Sequence, residues 1–314
     1  MELLSNIAIT SIARAENMKI LITGVNGQLG HDAAREFYSR GHSVIGTGTA
    51  AHNRPGYMQL DIRDRDAVSR MIKEISPDVV VHCAAWTAVD AAESAENRDA
   101  VSAVNVTGSR NIALACHSCG CKMIYISTDY VFPGTGSTPW AADCRDFAPC
   151  NYYGQTKLEG ELAVSEILDN YFIIRTAWLF GLNGNNFVKT MLRLARTHDT
   201  LRVVDDQIGT PTYSRDLARL LADMAESNKY GFYNATNEGG FISWYEFARA
   251  IFSHEGLSTN VIPLTSAEYG APAPRPFNSR LDKSKLTQQG FALLPAWQDA
   301  LDRFLAELHE STTN

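Results

Sequence analysis

The sequence contains 314 residues, of which 45% are hydrophobic and 20% charged, and this ordinary globular composition argues against long disordered regions. Its 28 lysines and arginines against 35 aspartates and glutamates give a net charge of −7. Proteins that follow a nucleic-acid backbone need the opposite balance, and no apolar run approaches the roughly 20 residues of a membrane-spanning helix. We therefore expect neither nucleic acid nor a membrane as a partner.

The chain begins with 17 residues that precede the first predicted strand. They carry Glu2 where a signal peptide needs positive charge, and they lack a long apolar segment. We interpret residues 1–17 as an N-terminal extension. The six cysteines are too few and too irregularly spaced for a disulfide framework, which favours a cytoplasmic protein.

The following segment alternates between apolar runs and amphipathic stretches. Strands are predicted at 19–24, 43–46, 57–61, 78–85, 122–128 and 171–180. Helices are predicted at 28–40, 65–75, 98–118 and 152–168. Continuous apolar strands that alternate with helices indicate a parallel sheet covered on both faces. The fold class predicted is α/β, with a doubly wound, Rossmann-like parallel sheet.

The pattern changes after residue 180. Prolines interrupt shorter elements there, and helices are predicted at 214–227, 243–252 and 295–308. We interpret 18–180 as a dinucleotide-binding domain. Residues 181–314 are mainly a smaller C-terminal substrate-binding lobe, with segments that can cross between the two.

A glycine loop follows the first predicted strand and opens the first helix. Its glycines are Gly24, Gly27 and Gly30, spaced GxxGxxG rather than GxGxxG. Glycine at this turn lets the backbone approach a pyrophosphate, and the helix N-terminus offers unpaired N–H groups to the phosphates. Its place between strand and helix predicts binding of a dinucleotide.

The second strand indicates which dinucleotide is bound. NAD-selective sites end this strand with an acid that binds the ribose 2′-hydroxyl. Here it ends in Gly46, Thr47, Gly48 and Thr49, and Arg54 follows a few residues later. An arginine can meet a 2′-phosphate, so NADPH, or the use of both NADPH and NADH, is favoured over NADH alone.

A tyrosine and a lysine open the helix predicted at 152–168. Tyr153 and Lys157 are four residues apart and so lie on one helix face. A nearby ammonium lowers the pKa of a tyrosine, which can then give its proton to a carbonyl oxygen as hydride arrives at carbon. Ser127 and Thr128 end the fifth strand, at the sheet edge where ligands bind, and can hydrogen-bond that oxygen. Thr128, Tyr153 and Lys157 together predict a site for carbonyl reduction.

These motifs resemble those of the extended short-chain dehydrogenase/reductase family. Further runs, among them YISTDYVFPGTG (125–136), YGQTKLEGE (153–161) and VVDDQIGTPTY (203–213), extend the resemblance to nucleotide-sugar reductases over residues 18–309. The resemblance implies a dTDP-sugar as substrate. The reaction implied is NAD(P)H-dependent reduction of the 4-keto group of dTDP-6-deoxy-L-lyxo-4-hexulose to dTDP-L-rhamnose.

The resemblance also implies roles for individual residues, with Thr128, Tyr153 and Lys157 as the catalytic group. The residues implied to bind the cofactor are the three loop glycines Gly24, Gly27 and Gly30, with Gln28, Leu29, Asp61, Ile62, Ala84, Ala85, Thr87, Asn105, Tyr153 and Lys157. Those implied to bind the substrate are Thr128, Trp178, Asn186, Gln207 and Arg275.

The sequence contains two candidate cation sites. Some family members bind Mg²⁺ at a carboxylate-lined dimer contact, but Asp32 stands just after the glycine loop, where a glutamate is familiar. Mg²⁺ and a homodimer are therefore left open. Cys116, His117, Cys119 and Cys121 form a local cluster, but a structural zinc site usually needs a second ligand pair, so reduced thiols are favoured.

Two alternative functions also stay open. One is another nucleotide-sugar reductase or an epimerase. The dehydratases carry Asp-Glu after the threonine, whereas Thr128 is followed here by Asp129 and Tyr130. The other is a non-catalytic regulatory subunit like the beta subunit of methionine adenosyltransferase, which is similar in fold. The presence of both Tyr153 and Lys157 favours an enzyme.

Overall fold

The computed structural model of the protein describes residues 17–313, so the predicted extension lies, apart from Asn17, outside the described residues. The strands are β1 (Lys19–Thr23), β2 (Ser43–Gly48), β3 (Tyr57–Gln59), β4 (Val79–His82), β5 (Lys122–Thr128), β6 (Tyr171–Thr176), β7 (Leu179–Phe180), β8 (Thr200–Val204), β9 (Ile208–Gly209), β10 (Thr212–Tyr213), β11 (Gly231–Asn234), β12 (Asn237–Glu238), β13 (Ile242–Ser243), β14 (Asn260–Leu264) and β15 (Leu294–Ala296).

The helices are α1 (Gln28–Ser39), α2 (Arg65–Ile75), α3 (Val89–Ala92), α4 (Arg98–Ser102), α5 (Ser109–Cys119), α6 (Tyr152–Ile167), α7 (Phe187–Ala195), α8 (Ser214–Ala225), α9 (Trp244–His254), α10 (Ser266–Tyr269), α11 (Ser284–Gln288) and α12 (Trp297–Thr313). A π-helical segment, Ala103–Gly108, joins α4 to α5, and a short 3₁₀ turn, Asp129–Val131, follows β5. Within residues 17–313, no helix is long and apolar enough to cross a membrane.

Seven strands form one parallel sheet in the order β11-β6-β5-β4-β1-β2-β3. Hydrophobic clusters cover both of its faces, and the four residues of β4 are all buried. A strand buried on both faces is apolar throughout, which is why the sequence shows continuous runs. The predicted doubly wound, Rossmann-like sheet is confirmed. The order of the strands reverses between β1 and β4, and ligands bind at such a switch point.

Most predicted elements of the sheet and its helices are present, with two informative differences. The helix predicted at 98–118 is interrupted by the π-helical segment, which places Asn105 on a widened turn. The strand predicted at 171–180 ends at Thr176, because Trp178 adopts a left-handed conformation with φ 51°. The chain then resumes as β7, which pairs with β10 instead of the large sheet.

A further hydrophobic cluster lies among α7, α9 and α12, beside the parallel pair of β8 and β14. Residues that follow 181 also return to the large sheet. β11 is its outermost strand beside β6, and α8 packs in the layer that includes α1. Segments therefore cross between the two parts, and the domain boundaries stay a prediction.

Candidate active site

A cleft of about 580 Å³ opens at the carboxyl ends of β1, β4, β5 and β6. Its volume suits a small-molecule site. The predicted site residues that line it are Gly24, Gly27, Gln28, Leu29, Gly30, Ala85, Thr87, Thr128, Tyr153, Lys157 and Trp178. Residues far apart in the chain meet here because the carboxyl ends of parallel strands share one edge of the sheet.

The glycine loop forms one end of the cleft. Gly24 has φ 69°, and a Cβ there would lie 2.7 Å from the backbone nitrogen of Ala84. A Cβ at Gly30 would overlap the carbonyl oxygen of Gly24. Only glycine therefore fits at these two positions. The loop presents the start of α1, whose first turn holds no acidic residue in the described chain, and a helix N-terminus without acids favours an anion.

Arg54 lies beside the glycine loop, although 28 residues separate it from Asn26. Its Nη2 donates to Asn26 Oδ1 at 2.6 Å, and its guanidinium stands 4.9 Å from the ring centre of Tyr57. The Arg54 side chain is exposed, and its two partners, Asn26 and Tyr57, both lie against Gly48 at the end of β2. The predicted cationic group is thus positioned at the loop.

Tyr153 and Lys157 lie on the first turns of α6. The Asn151 side chain caps this helix by accepting from Gly154 N at 2.8 Å. Lys157 is buried, and its Nζ donates to the carbonyl oxygen of Ile126 at 2.7 Å. Burial lowers the pKa of Lys157 to about 7, while the Glu161 carboxylate acts in the opposite direction. The ammonium is therefore held directly beneath the end of β5.

The predicted lowering of the Tyr153 pKa is wrong for this structure. Burial raises the pKa of Tyr153, the Asp129 carboxylate raises it further, and the Thr128 hydroxyl acts in the opposite direction. Lys157 points its ammonium at a backbone oxygen and does not offset the burial. Tyr153 therefore holds its proton at neutral pH, which is the form that a proton donor requires.

Asp129 also lines the cleft, although the sequence predicted no site role for it. Thr128 Oγ1 donates to Asp129 Oδ1 at 3.0 Å. Burial raises the pKa of Asp129 to about 6, while the Ser279 and Thr128 side chains act in the opposite direction. Its Oδ2 is buried without a hydrogen-bond partner in the described part of the chain. The feature of the sequence that could have identified Asp129 as a site residue is its position directly after Thr128.

Seven predicted site residues lie outside the lining of the cleft as the described chain forms it: Asp61, Ile62, Ala84, Asn105, Asn186, Gln207 and Arg275. Ala84 contacts the glycine loop at Gly24. Asn105 is buried, accepts from Trp86 N at 2.8 Å and donates to Thr156 Oγ1 at 3.0 Å, so it joins the loop after β4 to α6.

Asp61 and Ile62 are the residues predicted to lie near the adenine of the cofactor. Asp61 forms an ion pair with Arg63, whose Nη2 lies 2.6 Å from Asp61 Oδ2. The hydrogen bond from Arg63 lowers the pKa of Asp61. Ile62 is buried against Gly108, where a Cβ would lie 2.6 Å from Ile62 Cδ1. These residues therefore shape the sheet edge beyond the cleft.

The residues predicted for the substrate lie in separate places. Asn186 caps α7 and donates to Gln28 Oε1 at 3.0 Å, so it touches the glycine loop. Gln207 is buried and donates to Ser266 Oγ at 2.8 Å. Arg275 forms an ion pair with Asp90 at 2.9 Å. Of the substrate candidates, Thr128 and Trp178 line the cleft.

The residues around Asp32 do not fit Mg²⁺. The buried Asp32 carboxylate accepts a hydrogen bond from the Ser214 hydroxyl. The nearest carboxylate network, at Glu307, is already neutralised by Arg35 at 2.8 Å and Arg215 at 3.4 Å. Among the described residues, no three His, Cys, Asp or Glu side chains are grouped to hold a metal ion. We therefore assign no chemical step to magnesium.

The parallel sheet, the glycine loop at its switch point and the Tyr153–Lys157 pair beside Thr128 define an NAD(P)H-dependent oxidoreductase of the short-chain dehydrogenase/reductase class. The chain belongs to the family described as RmlD substrate binding domain, whose sequence profile matches residues 18–310.

Named relatives agree over nearly the whole chain. A dTDP-4-dehydrorhamnose reductase of Streptomyces griseus is 42% identical over 288 residues, which are 90% of this chain and 91% of that protein. The crystal structure of the Bacillus anthracis dTDP-4-dehydrorhamnose reductase in complex with NADP is 39% identical, with a TM-score of 0.84 over 93% of this chain and 99% of the other. The Clostridium acetobutylicum ortholog is 40% identical, with a TM-score of 0.86 over 93% and 100%.

Proposed function

We propose that this protein reduces the 4-keto group of dTDP-6-deoxy-L-lyxo-4-hexulose to give dTDP-L-rhamnose, with NADPH or NADH as the reductant. The observation that carries the proposal is the meeting of Thr128, Tyr153 and Lys157 with the glycine loop in one cleft. The names of the relatives and the NADP in the Bacillus anthracis structure support it.

The lining of the cleft indicates which residues bind the cofactor. Gly24 and Gly27 let the backbone approach a pyrophosphate, and the start of α1 faces it with unpaired N–H groups. We infer that Lys157, whose Nζ lies beneath the end of β5, binds the nicotinamide ribose hydroxyls. When bound, NAD(P)H supplies the hydride, and a side chain of the protein supplies the proton.

The proton comes from Tyr153. Because burial keeps this phenol protonated, it can donate to the carbonyl oxygen of the substrate as charge develops there. The Thr128 hydroxyl is our candidate to donate a hydrogen bond to the same oxygen. Its proton is donated to Asp129 Oδ1 in this structure, so Thr128 must turn away from Asp129 to reach the substrate oxygen. Trp178, Asn186, Gln207 and Arg275 remain our candidates for binding the nucleotide and sugar.

The decisive experiment supplies purified protein with the 4-keto-6-deoxy sugar nucleotide and either cofactor. We expect cofactor oxidation and formation of dTDP-L-rhamnose, identified by NMR. Oxidation that yields a different sugar would indicate another nucleotide-sugar reductase, and epimer formation without net cofactor oxidation would indicate an epimerase. If cofactor binds but no sugar nucleotide reacts, the chain is a regulatory subunit and the proposal fails.

We also propose that the protein acts in the cytoplasm. All six cysteines are free in the structure, and two of them, Cys116 and Cys121, are buried side by side at the end of α5. Reduced thiols are typical of that compartment. The homodimer stays a prediction, and light scattering of the purified protein tests it.

A further inference from the structure

Two tryptophans line the cleft together, and one of them has an unusual backbone. Trp178 has φ 51°, in the left-handed region where a bulky side chain is rarely found. It lies two residues after Thr176, the last residue of β6, where the large sheet ends at the cleft. Such a conformation persists only where surrounding contacts hold it, and it occurs often at ligand-binding sites.

Thr212 holds the backbone at this point. Its N–H donates to the carbonyl oxygen of Trp178 at 3.1 Å, and its hydroxyl donates to the carbonyl oxygen of Ala177 at 2.7 Å. These two bonds fix the peptide groups but do not touch the indole ring. The direction of the ring therefore depends on what packs against it.

Trp244 and Gly209 pack against that ring. The indoles of Trp178 and Trp244 stack face to face, with ring centres 3.7 Å apart and planes 17° apart. A Cβ at Gly209 would lie 2.9 Å from Cε2 of Trp178. The stacked ring and the bare glycine backbone thus leave the Trp178 indole little freedom to rotate.

Trp244 is itself held firmly as the first residue of α9. Ser243 and Glu246 form a reciprocal cap at this helix start, with Glu246 N donating to Ser243 Oγ at 3.1 Å and Ser243 N donating to Glu246 Oε2 at 2.8 Å. Phe187 packs on the Trp244 ring with 4.5 Å between ring centres. The Phe187 and Trp244 rings pack against the hydrophobic cluster among α7, α9 and α12, so Trp244 connects that cluster to the cleft.

We propose that Trp244 is a positioning residue. By stacking on Trp178, it holds that indole in its orientation as the wall of the cleft that faces the sugar nucleotide. The inference rests on the proposed function in one respect, the identity of the ligand that occupies the cleft. It assigns Trp244 to substrate affinity and not to the transfer of hydride or proton.

Steady-state kinetics test this role. Trp244→Leu should raise the KM for the sugar nucleotide about tenfold and leave kcat and the KM for NADPH within about twofold, because a stacked aromatic pair contributes to binding without touching the reacting atoms. Trp244→Phe keeps a stacked ring and should raise that KM by less than about threefold. Trp140→Phe is the control, since Trp140 stacks on Phe132 outside the cleft lining. An unchanged KM in a folded Trp244→Leu, or a loss confined to kcat, would overturn the assignment.

A second measurement needs no turnover. Closely stacked indoles couple their electronic transitions, so the wild-type circular dichroism spectrum should contain an exciton couplet. The couplet should vanish in Trp178→Phe and in Trp244→Phe, persist in Trp140→Phe, and weaken in Gly209→Ala, whose methyl group displaces the Trp178 ring. A couplet that survives Trp244→Phe would overturn the stacking. A wild-type protein that shows the couplet but no turnover would contradict the proposed function. The same result would still support the stacking of Trp244 on Trp178.

Discussion

Arg175 and Glu161 form a two-pronged ion pair in the interior of the protein. Arg175 Nε lies 2.9 Å from Glu161 Oε1 and Nη2 lies 2.7 Å from Oε2, with side chains 0% and 1% exposed. Arg175 Nη1 also donates to the carbonyl oxygen of Ala142 at 3.0 Å. Because Glu161 is on α6 and Arg175 on β6, the pair fastens the helix that carries Tyr153 and Lys157 to the sheet.

Breaking this pair should destabilise the fold strongly. Arg175→Met leaves Glu161 buried without its partner, and we expect the free energy of unfolding to fall by about 3–5 kcal/mol, measured by urea denaturation. The double variant Arg175→Met/Glu161→Met should recover much of that loss. Arg110→Met is the control, because Arg110 pairs at the surface with Glu166, which lies on α6 like Glu161. Loss of this exposed pair should lower the free energy of unfolding by less than about 1 kcal/mol. Equal losses in the two single variants would contradict this view of the pair.

Tyr153→Phe should remove the proton donor and leave cofactor binding intact. General acid catalysis contributes about 10²–10⁴-fold, so we expect kcat to fall by that amount. NADPH affinity, measured by fluorescence titration, should change little. Tyr152→Phe is a matched control one residue away, since its hydroxyl donates to Arg98 O instead of facing the cleft. Normal turnover by Tyr153→Phe would exclude the proposed acid.

Asp129 should make stability depend on pH. Its pKa is about 6 in the folded protein against 3.8 in the unfolded chain, so the folded state binds more protons between these values and loses stability as pH rises through them. Asp129→Asn should therefore raise the free energy of unfolding by about 2–3 kcal/mol at pH 8 and by only about 0.5 kcal/mol near pH 4. Paired denaturation curves at both pH values check this, with the exposed Asp169→Asn as control. A gain of equal size at both pH values would show that burial of the charge is not its cause.

Arg54 should decide the preference between the two cofactors. If its guanidinium binds the 2′-phosphate beside Asn26, Arg54→Gln should weaken NADPH about ten- to hundredfold and leave NADH unchanged, because charge-assisted hydrogen bonds are lost only with the phosphate. Direct titration with NADP⁺ and NAD⁺ measures this without catalysis. Arg70→Gln, an exposed arginine on α2, serves as control. A parallel loss for both cofactors would show that Arg54 only shapes the loop.

The alternation of apolar runs and helices was sufficient to predict the fold. β5 and α2 have the predicted bounds, and α6 ends within one residue of its prediction. These elements are predictable because local periodicity reports how a strand or helix is buried. The same reasoning could not place the break at Trp178. Thr212 holds its left-handed backbone and Trp244 holds its ring, and these residues lie 34 and 66 positions further along the chain.

The sequence by itself determined the class of sheet, the glycine loop and the group of Thr128, Tyr153 and Lys157. Each of these can be recognised from residues that lie only a few positions apart or at the end of a predicted strand. Tertiary structure decided what surrounds them. The pKa of Tyr153 is raised where the spacing alone predicted a lowered one, since burial and Asp129 act on the phenol while Lys157 is held by the backbone. Electrostatic environment and ring stacking depend on residues that only the folded chain brings together.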